Sequence, residues 1–143
     1  MGTWGTGPFD NDTAADFSYI LDDAPIAERA EFVRGVLTRT VRATGYLTEA
    51  DEAVAAAALI AAQCPGGQPV ETPYGPQQPL PAFPHDFREL AARALDRVLA
   101  DEPERSAAWL DSTNARQWLS SLQVLKDVLD PQPAPLDVPL FDL

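Results

Sequence analysis

The 143-residue sequence has one cysteine, one histidine, one methionine and one lysine (Lys126), and each scarcity excludes some chemistry. A single cysteine, Cys64, rules out an internal disulfide and fits a reducing compartment, so a cytoplasmic protein is expected. A single histidine, His85, cannot supply the paired Glu-x-x-His motifs of di-metal helical bundles. No zinc-ligand spacing, glycine-rich phosphate loop or basic–aromatic patch is present. No apolar run reaches the roughly 18 residues of a membrane span, and the start has no charged-then-apolar leader. Neither a membrane segment nor a secretory signal is therefore expected. Strand-type alternation and internal repeats are also missing.

What the sequence has in excess is negative charge. Twenty-two acidic residues against ten basic ones give a net charge of −12 and a pI near 4.2. Such a surface repels phosphate backbones and anionic lipid, so neither nucleic acid nor membrane is an expected partner. The charge is unevenly spread. Asp10, Asp12, Asp16, Asp22 and Asp23 stand unopposed in the first 24 residues, and Asp130, Asp137 and Asp142 in the last fourteen. Residues 25–44 reverse the sign, with four arginines against Glu28 and Glu31. Abundant alanine and nine arginines to one lysine read as GC-rich bacterial coding.

The length corresponds to one domain, at roughly 100–200 residues each. Nearly every patterned stretch has helical spacing. Asn11 or Asp12 caps a first helix with Ala14, Phe17, Ile20, Leu21 and Ala24 on one face. Pro25 suits the first turn of a second helix, which buries Ile26, Ala30, Val33, Val36, Leu37 and Val41 and ends at Gly45. Arg29, Arg34, Arg39 and Arg42 fall on its polar flank. Thr48 to Asp51 has capping-box spacing and opens an alanine-rich third helix, apolar nearly all round and so expected at the centre. A fourth helix starts near Asp86, buries Phe87, Leu90, Ala91, Ala94, Leu95 and Val98, and stops before Pro103. A short helical piece at 106–110 and a polar turn at 111–114 precede the last helix, 114–129, which buries Trp118, Leu119, Leu122, Leu125 and Leu129. Residues 63–85 hold seven prolines and three glycines, which forbids a continuous helix. The expected fold is all-α: one compact domain of five to six helices over residues 1–130, with the Pro-rich loop 63–85 inside it. An extended Pro-rich C-terminal tail, 131–143, follows.

The most distinctive stretch is Trp4-Gly5-Thr6-Gly7-Pro8-Phe9-Asp10-Asn11-Asp12, followed by Ala14 and Asp16. Its two glycines free the backbone, so that Trp4 and Phe9 fold back onto the first helix as a lid. This W-G-x-G-x-F-x-N-D-x-A-x-D pattern resembles the bacterial domain-of-unknown-function family 4259. Weaker likeness continues through the alanine-rich helix and the Ser106, Trp109, Trp118, Leu122 and Leu125 pattern. The resemblance implies an all-α domain and carries no activity, so no catalytic residue is assigned from it.

The candidate binding residues are Trp4, Phe9, Asp10, Asn11, Asp12 and Asp16; no catalytic residue, metal ligand or cofactor is assigned. Asp12 and Asp16 lie four apart, on one helix face continued by Tyr19 and Asp23. Helix capping and the N-terminal dipole account for both carboxylates. A metal-assisted hydrolase remains the alternative, and it requires Asp12, Asp16 and His85 to converge. Cys64 and His85 flank the Pro-rich loop and form a nucleophilic pair only if they meet. Gly2 with Thr6 fits an acylation pattern, and Pro73, Pro76 and Pro79 form overlapping P-x-x-P units, both weak signals. Asp137-Val138-Pro139-Leu140-Phe141 reads as a tail peptide that either packs on its own helices or docks elsewhere. The expectation is a small acidic protein-interaction module, non-enzymatic, with a basic protein partner. Self-association is the remaining reading, and the sequence leaves the oligomeric state open.

Overall fold

Asn11 sets where the first helix begins. Its backbone is extended (φ −151°), and its side-chain oxygen accepts the Ala14 N–H at 2.8 Å, satisfying a donor the helix cannot. Helix α1 (Asp12–Asp23) follows and turns Ala14, Phe17, Ser18 and Leu21 inward. It stops because Ala24 precedes Pro25, and the proline ring pushes the residue before it out of helical geometry. These coordinates are a computed structural model, which describes residues 7–9, 11–45, 47–72, 74–105 and 113–129, with backbone alone at 101–105 and 113–115.

Helix α2 (Ile26–Arg42) buries Val33, Val36 and Leu37 and stacks Phe32 on Phe17, ring centroids 5.4 Å apart. Pro25 is its N-cap residue rather than part of its first turn, and Gly45 follows its end at φ +77°. Helix α3 (Ala50–Ala62) is buried on almost every side and packs against each of the other helices. Alanine side chains let four neighbours approach one axis, which explains why this helix is central. Helix α4 (Phe87–Arg105) buries Phe87, Ala91, Ala94, Leu95 and Val98; helix α5 (Thr113–Leu129) buries Trp118, Leu122 and Leu129. Among the described residues there are five helices around one core and no strand. No helix among them is long and apolar enough to cross a membrane.

The Pro-rich segment between α3 and α4 is packed as a strap. Gln63 donates its side-chain amide to the Pro81 carbonyl and accepts the Phe83 N–H, both at 3.0 Å. The Asp22 carboxylate accepts the backbone N–H groups of Gln77 and Gln78 at 2.8–3.0 Å. Backbone groups that no helix can pair thus find partners in side chains.

Several expectations from the sequence are corrected. Ile20 and Ile26 are not core residues, being 54% and 56% exposed. Arg29 is not on a polar flank but buried, at 8% exposure, because three backbone carbonyls converge on its guanidinium. Thr48 does not cap α3; the N-cap is Glu49, whose carboxylate is held instead by Arg39 at 2.8 and 3.0 Å. Helix α4 runs two residues past Pro103, since a proline in the last turn removes only one backbone bond. Thr113 and Asn114 begin α5 rather than close a turn. The helical piece at 106–110 and the tail 131–143 lie outside the described residues.

Candidate functional site

The signature residues divide sharply. Trp4 and Asp10 lie outside the described residues. Phe9 is buried at 3% exposure, and Asn11 at 6% is engaged in capping, so both serve the core and the helix start. Asp12 and Asp16 are exposed, and neither side chain hydrogen-bonds or ion-pairs with a described residue.

Asp12, Asp16, Tyr19, Ile20 and Asp23 follow a period of three to four, so they form one stripe of α1. That stripe is opposite the buried Ala14, Phe17, Ser18 and Leu21, and therefore faces solvent. Tyr19 is 79% exposed. Ile26, at the start of α2, is also exposed, at 56%. Three carboxylates and two large apolar side chains thus share the outer face of α1. Sequence periodicity placed the acids there; it did not foresee the exposed isoleucines.

Grooves also open on the surface of the described residues. The first, about 390 Å³, is lined by Pro8, Phe9 and Val70 on one side and by Val124, Leu125 and Val128 of α5 on the other. Ala58 and Ala61 of α3 also line it, and among the described residues no charged side chain does. The second, about 430 Å³, runs between α2 and α4 and carries Arg34, Arg42 and Arg93. The third, about 280 Å³, brings Cys64 and His85 into one lining beside Phe83 and Arg88. Those two side chains do not hydrogen-bond to each other: the Cys64 thiol donates to the Ile60 carbonyl at 3.4 Å. The nucleophilic pair is therefore not assembled. Nor do Asp12 and Asp16 join His85, and among the described residues no three His, Cys, Asp or Glu side chains are placed to hold a metal ion.

The electrostatics centre on α2 and α3. Arg39 donates from Nε and Nη2 to the Glu49 carboxylate, and this hydrogen bonding chiefly holds Arg39 above its ordinary pKa. Glu52, one turn into α3, is pushed up from its ordinary 4.5, first by burial and then by neighbouring Glu49 and Asp51. Neither group lines the grooves described above.

The family described as Domain of unknown function (DUF4259) matches residues 2–121. The chain belongs to this family. The DUF4259 match covers the signature, the strap and four of the five helices in full, and ends within α5. No curated protein and no solved structure matches the chain.

Proposed function

We propose that this protein is a cytoplasmic, non-enzymatic interaction module that docks a basic protein through the outer face of α1 and the adjoining corner of α2. The observation that carries this reading is the coincidence of exposed apolar groups and acidic groups that pair with no described residue. Tyr19, Ile20 and Ile26 are 79%, 54% and 56% exposed, beside Asp12, Asp16 and Asp23. Exposed apolar side chains grouped on a small protein are a common mark of an interface, and tyrosine is over-represented among residues that dominate binding energy. Carboxylates at the rim would steer a cationic partner and set orientation more than affinity. Packing does not account for Tyr19 and Ile20, which face away from the core.

The test is affinity capture from the native host with the wild-type chain and with an Asp12→Asn/Asp16→Asn/Tyr19→Ser variant. A basic protein retained by the wild type, released by salt and lost from the variant is the expected outcome. The far-ultraviolet circular dichroism of the variant should be unchanged, since all three residues are solvent-facing. An identical captured set from both chains overturns the reading.

A further inference from the structure

The apolar groove along α5 shares no residue with the α1 face, and the fold does not account for it. Ser120, Ser121, Val124, Leu125 and Val128 recur at helical spacing, so one stripe of α5 lines it. Ser120 to Val128 is eight positions, about 12 Å at 1.5 Å per residue. Ala58 and Ala61, both buried, contribute only methyl groups from the central helix. The strap forms a further wall. Gly66 turns at φ +84°, and Gly67 lies so close to the Ala61 carbonyl that a side chain there would collide with it. That close approach brings Gln68, Pro69 and Val70 to the groove.

The chemistry of this lining is selective. It holds polar groups but, among the described residues, no charge. Gln68 and Ser120 hydrogen-bond to no described residue, and an amide and a hydroxyl can each donate and accept. A carboxylate placed here meets no cation among them, and the chain's charge of −12 repels it. An ammonium group meets no counter-charge either. The volume, about 390 Å³, lies at the small end of ligand sites, which run from roughly 300 to 1,000 Å³.

We propose that this groove binds an uncharged straight-chain amphiphile: an alkyl chain ending in an alcohol, ester or amide. With C–C bonds of about 1.5 Å, a zigzag chain of about ten carbons matches the stripe of about 12 Å. The chain covers Val124, Leu125 and Val128, and the head group exchanges hydrogen bonds with Ser120 at the polar end of the stripe. Val124 is 57% exposed in the free protein, so covering it removes apolar surface from water. Each further methylene covered should tighten binding roughly three- to fourfold.

Titration of the full chain with 1-hexanol, 1-octanol and 1-decanol, followed by methyl NMR, tests this. Saturable shifts of the Ala58, Val124 and Val128 methyls are expected, with affinity rising roughly tenfold at each two-carbon step. Decanoate should bind at least about tenfold more weakly than 1-decanol, because its charge has no partner in the groove. Val124→Glu puts a carboxylate on an exposed part of the wall, and Ala58→Leu fills the space. Both should abolish 1-decanol binding while leaving the far-ultraviolet circular dichroism unchanged. Absence of saturable 1-decanol binding to the wild type overturns the proposal. Decanoate binding as tight as that of 1-decanol overturns it, as do shifts confined to methyls outside the groove. Undiminished binding by the folded Val124→Glu chain overturns it as well.

Discussion

Arg29 donates from Nη1 to the carbonyl oxygen of Pro79 at 2.7 Å, tying α2 to a strap residue fifty positions later. The same guanidinium donates from Nε to Ala24 at 3.0 Å and from Nη2 to Asp22 at 3.2 Å, closing the α1–α2 corner. One buried cation therefore holds three segments without a carboxylate partner. Its planar fork of donors makes this possible where an ammonium point charge would not.

Arg29→Met keeps much of the volume and removes all three donors. Each hydrogen bond from a charged group contributes about 1.5–3 kcal/mol, but the lost desolvation of the cation offsets part of the sum. A net loss of about 2–4 kcal/mol is expected on this reckoning, read as a lower urea midpoint with an unchanged slope. Arg29→Lys should recover less than half of it, since one ammonium cannot reproduce the fork. A loss below about 1 kcal/mol would show the strap to be held by other contacts.

Ser18 offers the opposite sign. Its hydroxyl is buried on the inner face of α1 and has no hydrogen-bond partner among the described residues. Replacing it by alanine removes an unsatisfied polar group and improves helix propensity. Ser18→Ala should stabilise the protein by about 1 kcal/mol, a rise in Tm of roughly 2–5 °C by calorimetry. A fall in Tm would mean that the hydroxyl has found a partner in solution.

These two residues show what the sequence could and could not disclose. Phe17, Leu21, Val33, Leu37 and the alanines of α3 were legible because burial follows helical period. Ile20 and Ile26 were misplaced because apolar residues may lie outside as well as inside; only a buried polar group or an exposed patch is informative. The burial of Arg29 depends on carbonyls at 22, 24 and 79, a convergence with no local signature. Thr48 and Asp51 have capping-box spacing, but α3 starts one residue later, with Glu49 as N-cap and its carboxylate on Arg39, ten positions earlier. The Asp12–Asp16 edge was readable from spacing alone. The grooves were not, because each needs walls from elements far apart in the chain.

Glu52 gives a pH signature. Burial, the largest cause, raises its pKa above the ordinary 4.5. A carboxyl with a raised folded-state pKa favours folding while protonated, so its contribution is fully present below about 4.5 and is lost as pH rises through the higher folded value. Glu52→Gln carries no such charge. The variant should therefore be more stable than the wild type at pH 7, and the two should converge as pH falls through the carboxylate range. Chemical denaturation from pH 4 to 8 measures the difference; a constant gap across about these values would assign it to packing instead.

The central helix makes the sharpest contrast, between two adjacent alanines. Ala57 is fully buried, while Ala58 lies on the wall of the apolar groove and is 5% exposed. Helix α3 packs against every other helix, so added methylenes at Ala57 have nowhere to go. Ala57→Leu should cost about 3 kcal/mol through overpacking. At Ala58 the same change projects into the groove of about 390 Å³, toward Val124 and Val128. Ala58→Leu should then cost under about 1 kcal/mol and fill part of that groove. Paired thermal unfolding of the two variants decides the matter. Equal losses at both positions would mean that the groove is already filled in solution, and that its apolar walls are core rather than surface.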